Sequence, residues 1–353
     1  MSLRKIVSKI EEVANKAVKN KLFPGVVIGV IDDEGNQLVL PFGKLSYDDD
    51  VHVVEKDTIY DIASITKCIP TSTLAIHALD NNLIKLEDLA VTFLPELSNS
   101  YARKITLKNL LTYTVGFDFR LSSFKDRPPE EIINLVMKSR LHDPPGARLN
   151  YSNTSILLLG ILLERLYGDR LETLANRFIF GPLEMTRTSY HPEDFPADEI
   201  APTEFDSWRG SVVRGVVHDE SAYIVGQKVT PGWAGVFATV PDLLIFFSMI
   251  IGVGSGWKGI ISEEAIKYFY TNQLADIGEE MALGWFIGSM LHAGSKISPR
   301  AFGKGGFTGC FCLCDLDKRT ALVFLSNHIH PKRPSSPQLI RSFREQLADI
   351  VLS

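Results

Sequence analysis

No apolar run in this sequence is long enough to cross a bilayer. The longest, Ile156–Leu163 and Leu243–Val253, fall far short of the ~20 residues that a spanning helix needs. A secretory signal is also missing, because MSLRKIVSKIEEVANKAVKNK carries charges every few residues where an apolar stretch would stand. A cytoplasmic protein is the expectation. Basic runs are absent, and 37 Lys and Arg against 42 Asp and Glu leave a net charge of −5. That argues against nucleic acid as a partner, since phosphate binding requires a concentrated positive face. Cysteine is scarce, with only Cys68, Cys310, Cys312 and Cys314. The last three alternate, so on a strand they share one face and cannot form an ordinary bridge with one another. With no second Cys/His cluster of ligand spacing, reduced thiols are expected and neither metal nor organic cofactor is implied. Internal repeats and low-complexity tracts are absent as well.

What remains is an ordinary globular composition, 45% hydrophobic and 22% charged over 353 residues. At ~150 residues per domain this allows two domains or one composite one, large enough to bury a core without staples. Leu3, Ile6, Val7, Ile10, Val13, Ala14 and Ala17 form one helical stripe over residues 3–20. VVIGVI (26–31) and QLVL (37–40), joined by DDEGN, read as a hairpin. PPEEIINLVMKS (128–139) and the nearly all-apolar TSILLLGILLERLYG (154–168) read as helices. Between 186 and 235 periodicity fades into a long loop region of the kind that borders sites. Strand patterns return at LGWFIG (283–288), AFGKGG, GCFCLCDL (309–316) and TALVFLSN (320–327), with DLDKR as a turn, before a closing helix. The expected fold is α+β: an antiparallel sheet flanked by N- and C-terminal helices, from residues 1–63 and 281–353. A mostly helical domain is inserted over residues 64–280, with the active site at the interface.

Three short motifs offer chemistry. In Ser64-Ile-Thr-Lys67 a helix starting near Ser64 brings the lysine one turn on and within reach of the hydroxyl. Serine needs a neighbouring base, and a lysine serves once burial or nearby positive charge leaves a neutral fraction. Spacing alone is weak evidence, because S-x-x-K recurs at Ser2–Lys5 and Ser64 could simply cap a helix. In Tyr151-Ser152-Asn153 the phenol can relay a proton and the amide can bind substrate, unless Tyr151 only packs and Ser152 or Asn153 caps the next helix. In Lys304-Gly305-Gly306-Phe307-Thr308-Gly309 the glycines suit close approach of a ligand to a strand, and the lysine supplies fixed charge; the plain alternative is a bulged edge.

Taken in order, the motifs resemble the serine β-lactamase superfamily of class C β-lactamases, D-alanyl-D-alanine carboxypeptidases and related carboxylesterases. Flanking blocks are similar too, among them DIASITK, LEDLAVTFLPEL, PPGARLNYSN and GVFATVPDLLIFF. The resemblance spans residues 20–327 and implies a β-lactamase/transpeptidase-like fold. It implies Ser64 as acylated nucleophile, Lys67 as acceptor of its proton, and Tyr151 as the relay to the leaving group and deacylating water. Asn153 and Lys304 would position substrate and hold Tyr151, and the N–H groups of Ser64 and Phe307 would form the oxyanion hole. The substrate would be a small-molecule ester, β-lactam or D-amino-acid peptide.

Departures bear on that substrate. Gly305 stands where the family's third motif has threonine, which favours a neutral ester or a different carboxylate anchor. Tyr113 and Val115 stand where histidine and serine are common, and Trp233 where a related subgroup has histidine; an exposed indole there would line an apolar pocket. Pro70 falls inside the helix after Ser64 and should bend it. His218-Asp219-Glu220 reads as a loop hydrogen-bond cluster, Arg209 and Arg214 as surface ion-pair partners, His328 and His330 as surface residues, and YDDD (47–50) as a solvated turn. No G-x-S-x-G elbow is present. The expectation is a serine hydrolase favouring carboxylesters. The same-class alternative is a β-lactamase or D-alanyl-D-alanine carboxypeptidase. The different-class alternative is a non-catalytic descendant that binds acyl ligands or a partner.

Overall fold

GVVIGVI contains no polar side chain, and in the computed structural model it forms a strand buried on both faces. Residues 3–48, 51–97, 100–253 and 259–353 are described; Asp49 and Asp50 of the YDDD segment and Ser2 lie outside them. The strands in chain order are β1 (Gly25–Ile31), β2 (Gln37–Gly43), β3 (Tyr60–Asp61), β4 (Phe205–Asp206), β5 (Ser211–Val212), β6 (Phe237–Ala238), β7 (Phe286–Ile287), β8 (Ala301–Gly305), β9 (Phe311–Asp315) and β10 (Thr320–Ser326). Six of them form one antiparallel sheet ordered β2-β1-β10-β9-β8-β7, while β3–β6 and β4–β5 make two small pairs.

Alternation along each strand divides the side chains between two cores. Val26, Ile28 and Val30 pack with Phe311, Leu313 and Phe324 beneath the terminal helices, Leu3–Lys19 and Gln338–Val351. Val27, Ile31, Cys312, Cys314, Val323 and Leu325 face the larger core on the other side. All four cysteines are free and buried, and the three alternating ones share that face. The helix Val240–Ile251 crosses β1 so closely that a Cβ on Gly29 would lie 2.3 Å from Val240 Cγ1. The α+β arrangement, with helices on both faces of an antiparallel sheet, is the one the sequence pattern implies.

Two details of this frame prepare the site. The apolar helix runs Asn153–Tyr167, capped by Ser152 (Ser155 N–H to Oγ 3.3 Å) and ended by Gly168 at φ 73°. Ten consecutive buried residues, Thr154–Leu163, anchor it, at roughly 1.5–3 kcal/mol for each large aliphatic side chain. At LGWFIG only Phe286 and Ile287 pair with β8, because the chain turns at Gly284 (φ 84°) and Gly288 (φ 52°). Since β7 covers only Phe302 and Gly303, the edge of β8 at Lys304 and Gly305 is left open on that side.

Candidate active site

The nucleophile segment begins where β3 ends. The buried Asp61 carboxylate accepts Ala63 N–H and His218 N–H, both at 2.8 Å. Burial raises its pKa and these two donors oppose the rise. They hold Ala63 in the left-handed region at φ 46°, a conformation that persists only where surrounding contacts enforce it. Ala63–Lys67 then forms a 3₁₀ turn, so Ser64 lies within the helix and is not its cap. Lys67 comes round to donate its Nζ proton to Ser64 Oγ at 2.8 Å. Pro70 has no N–H, and the chain accommodates it as a π-turn over Cys68–Ser72 rather than a simple bend. Thr73 N–H reaches Cys68 O, while Ser72 Oγ satisfies Lys67 O at 2.8 Å, before a regular helix starts at Thr73.

Lys67 is almost wholly buried, and its second acceptor is Trp233 O at 3.1 Å. Burial first, then the charge of Lys304, pulls its ammonium down to about 7; Asp219 pushes the other way. Lys304 projects from β8 into the same chamber. Its Nζ donates to Gly284 O at 3.1 Å and Tyr113 Oη at 3.3 Å, and sits 3.7 Å from the Phe286 ring centroid. Burial brings it to about 8. The Tyr151 ring spans the two amines, 5.3 Å from Lys67 Nζ and 4.5 Å from Lys304 Nζ. Its ring reaches solvent while its hydroxyl is enclosed; burial raises the phenol well above its usual range, against a hydrogen bond with Ser64.

A buried amine held at about 7 instead of 10.5 destabilises the folded chain. The unfolded chain keeps its proton up to the higher value, so the cost is full below pH 7 and fades as pH rises toward 10.5. Lys67→Met should therefore stabilise the protein at pH 6 by roughly 1–4 kcal/mol, and the gain should shrink by pH 9. Thermal melts of both proteins at the two pH values measure this, and a lower melting temperature for the variant at pH 6 contradicts it.

The third motif turns away from β8 against the nucleophile segment. A Cβ on Gly306 would lie 2.5 Å from Ile62 O, and Thr308 Oγ1 donates to Asp61 O at 2.7 Å. Phe307, half exposed on this turn, stacks on His218 at 5.6 Å and lies under the Arg333 guanidinium at 4.2 Å. Asn153 donates from Nδ2 to Asp219 Oδ2 at 3.2 Å. With Tyr151, Phe117, Phe119 and Arg120 it lines a cavity of about 740 Å³. Ser64 thus meets Lys67 and Tyr151, and the Tyr151 ring links this pair to Lys304, with Asn153 lining the adjoining cavity and Phe307 on the turn beyond β8.

Several side chains differ from expectation. Trp233 is fully buried, not an exposed pocket wall: its indole N–H donates to Asp219 Oδ1 at 3.3 Å and its carbonyl holds Lys67. His328 and His330 are buried rather than superficial, because their Nδ1 atoms meet Leu22 O (2.6 Å) and Thr203 O (2.7 Å) on loops that cover them. Arg209 pairs with Asp206 at 3.1 Å, but both side chains are largely enclosed rather than on the surface, and Arg214 donates to Ile200 O at 2.8 Å. No motif in the sequence marks Tyr113 or Gly284 as a site residue, yet both hold Lys304. Gly284 needs its positive φ, and a Cβ there would lie 1.9 Å from Ser72 Oγ.

Fold and motif order together define the serine β-lactamase and penicillin-binding protein superfamily. The chain belongs to the Beta-lactamase family, whose model matches residues 10–344. A protein of Escherichia coli O157:H7 named "Putative D-alanyl-D-alanine carboxypeptidase" is 27% identical over 348 residues, covering 87% of this chain and 79% of that one. The solved structure of EstCE1, a hydrolase with promiscuous acyltransferase activity, shares the fold at TM-score 0.76 and 17% identity, with 99% of each chain covered. D-alanine carboxypeptidase AmpC from Burkholderia cenocepacia does so at TM-score 0.75 and 22% identity, again covering 99% of each.

Proposed function

We propose that the protein is a serine hydrolase working through an acyl-enzyme on Ser64, with carboxylesters as favoured donors. The observation that carries this reading is the hydrogen bond from a buried Lys67, drawn down to about 7, to Ser64 Oγ. Near neutral pH a neutral fraction of the amine takes the Ser64 proton as Oγ attacks the acyl carbonyl. The N–H groups of Ser64 and Phe307 receive the developing oxyanion. As the carbon–oxygen bond to the leaving group breaks, Tyr151 passes a proton to the departing alkoxide and Lys304 stabilises charge on the phenol. Water then attacks the ester of Ser64, giving its proton back through the same groups, and the free acid and Ser64 hydroxyl are regenerated. A test is p-nitrophenyl butyrate hydrolysis with rapid acid quench and peptide mass mapping. A butyryl adduct on Ser64 is expected; an adduct elsewhere, or none during turnover, contradicts the assignment. A stable adduct without turnover favours the binding-only descendant.

A second reading, a donor bearing a carboxylate as in β-lactams and D-amino-acid peptides, is favoured by one observation. The Arg344 guanidinium stands against Gly305, where a Cβ would lie 2.9 Å from Nη2. Its Nε is buried without a hydrogen-bond partner, and the guanidinium lies over the Phe311 ring at 4.4 Å. A threonine side chain at Gly305 would have to displace that guanidinium. Arg344→Leu should cut kcat/KM for nitrocefin at least tenfold, as expected from losing a charge-assisted bond, while sparing the butyrate ester. Equal losses on both substrates would remove the second reading.

A further inference from the structure

We propose that Asp219 is a positioning residue for acyl transfer, whose single carboxylate fixes both the Asn153 amide and the Trp233 turn that holds the Lys67 amine. The inference rests on the acyl-enzyme reading and adds to it a group that touches no reacting atom.

Asp219 precedes the helix Glu220–Val225 and caps it. Oδ1 accepts Ala222 N–H at 2.8 Å and Ser221 Oγ–H at 2.5 Å. Capping requires only that oxygen, and the rest of the carboxylate is directed at the site. Oδ2 accepts Asn153 Nδ2 at 3.2 Å, and Oδ1 also accepts Trp233 Nε1 at 3.3 Å. A carboxylate can only accept, so it sets the Asn153 amide with nitrogen toward Asp219 and oxygen turned away. The Trp233 indole is fully buried and is anchored by this hydrogen bond. Its anchoring fixes the carbonyl that accepts from Lys67 Nζ at 3.1 Å. The preceding residue completes the connection: His218 N–H binds the same Asp61 carboxylate that binds Ala63 N–H, one residue before Ser64. The dipeptide His218-Asp219 thus ties together the nucleophile turn, the Tyr151–Asn153 motif and the carbonyl beside the base.

The groups facing Lys67 come from several elements: Lys304 from β8, Cys68 from its own turn, Tyr151 and Ser64 as hydroxyls, the Trp233 carbonyl, and Asp219. Cys68 is kept as a thiol by burial, which pushes it up to about 11. Asp219 is then the one negative charge in that set, opposing Lys304. A cap that served only the short helix would influence stability without influencing the ionisation of Lys67.

The experiment measures the rate at which an alkyl fluorophosphonate labels Ser64, read by intact mass from pH 5 to 9. The wild type is compared with Asp219→Asn, and melting temperatures are recorded in parallel. Asn keeps an acceptor for the cap but removes the charge. Labelling at pH 8 should fall at least tenfold, and the acid limb should move to lower pH by about half a unit or more, because losing a nearby negative charge lowers the Lys67 pKa. A rate within twofold of wild type and an unmoved limb overturn the proposal, as does a loss that only follows the unfolded fraction. Should that variant not fold, Trp233→Phe deletes the indole donor alone. It should slow labelling several-fold with the limb in place, and an unchanged rate overturns the proposal. Wild-type protein whose Ser64 is not labelled at all would instead overturn the acyl-enzyme reading beneath it, which separates the two failures.

Discussion

Ser64→Ala should reduce hydrolysis of p-nitrophenyl butyrate by about 10⁴–10⁶-fold, the scale on which loss of a serine nucleophile is felt, without lowering the melting temperature. The substitution deletes one hydroxyl. Asp61 still binds Ala63 N–H and the left-handed turn, and Lys67 retains Trp233 O as acceptor. The π-turn beyond it depends on Pro70, Ser72 and Thr73 rather than on Ser64. Loss of activity with an intact fold would therefore assign the chemistry to one oxygen. Turnover surviving the change would place the nucleophile elsewhere and leave the buried lysine pair without its proposed purpose.

Lys304→Met should lower kcat/KM by about 10²-fold or more and also change its pH dependence in a defined direction. In the wild type Lys67 must be neutral to accept a proton, so the rate climbs about tenfold per pH unit below its value of about 7 and then levels. The charge of Lys304 contributes to holding Lys67 that low, and is itself lost above about 8. The expected wild-type profile is a narrow bell between those values. Removing the Lys304 charge lets the Lys67 pKa rise, so the acid limb moves to higher pH and the alkaline fall disappears. A kcat/KM profile from pH 5 to 10 for both proteins measures this; an acid limb moving down would contradict the electrostatic coupling. Asp219→Asn, with the opposite charge removed, should shift the same limb in the opposite direction.

Much of the site was legible because it is written locally. Ser64 and Lys67 are three residues apart, and any tight helical turn brings them together. The pleat of β8 and β9 follows from alternation, which put Lys304 and the cysteines on the face toward the larger core. A cap at Ser152 or Asn153 is also readable from their position before an apolar run, and the fold uses Ser152. Residues joined only by the tertiary fold were not. Tyr113 meets Lys304 across 191 positions and Gly284 across 171, and no spacing rule connects them. Trp233 differs from the exposed indole that its position suggests, because its type says only that it is large and apolar with one donor. Whether that donor faces solvent or Asp219 is settled by the loop that closes over it. His328 and His330 are buried for the same kind of reason, since they meet the carbonyls of Leu22 and Thr203 on distant loops. Pro70 correctly signalled an irregular helix, but the form of the irregularity depended on Ser72 supplying a hydroxyl to Lys67 O.

The buried thiols give the molecule a set of internal clocks. Cys68 lies in the floor of the chamber, with Sγ 3.1 Å from Gly284 O, while Cys312 and Cys314 point from β9 of the sheet into the larger core. Burial keeps Cys68 protonated up to about 11 and lifts Cys312 and Cys314 well above the ordinary thiol range, so a thiol reagent meets each only when the structure around it opens. The labelling rate of Cys68 then reports how often the wall around the nucleophile parts, and the rates of the other two report how often the sheet does. Acylation of Ser64 that slowed the first and left the others unchanged would show, without any added probe, that substrate tightens the floor of the chamber alone.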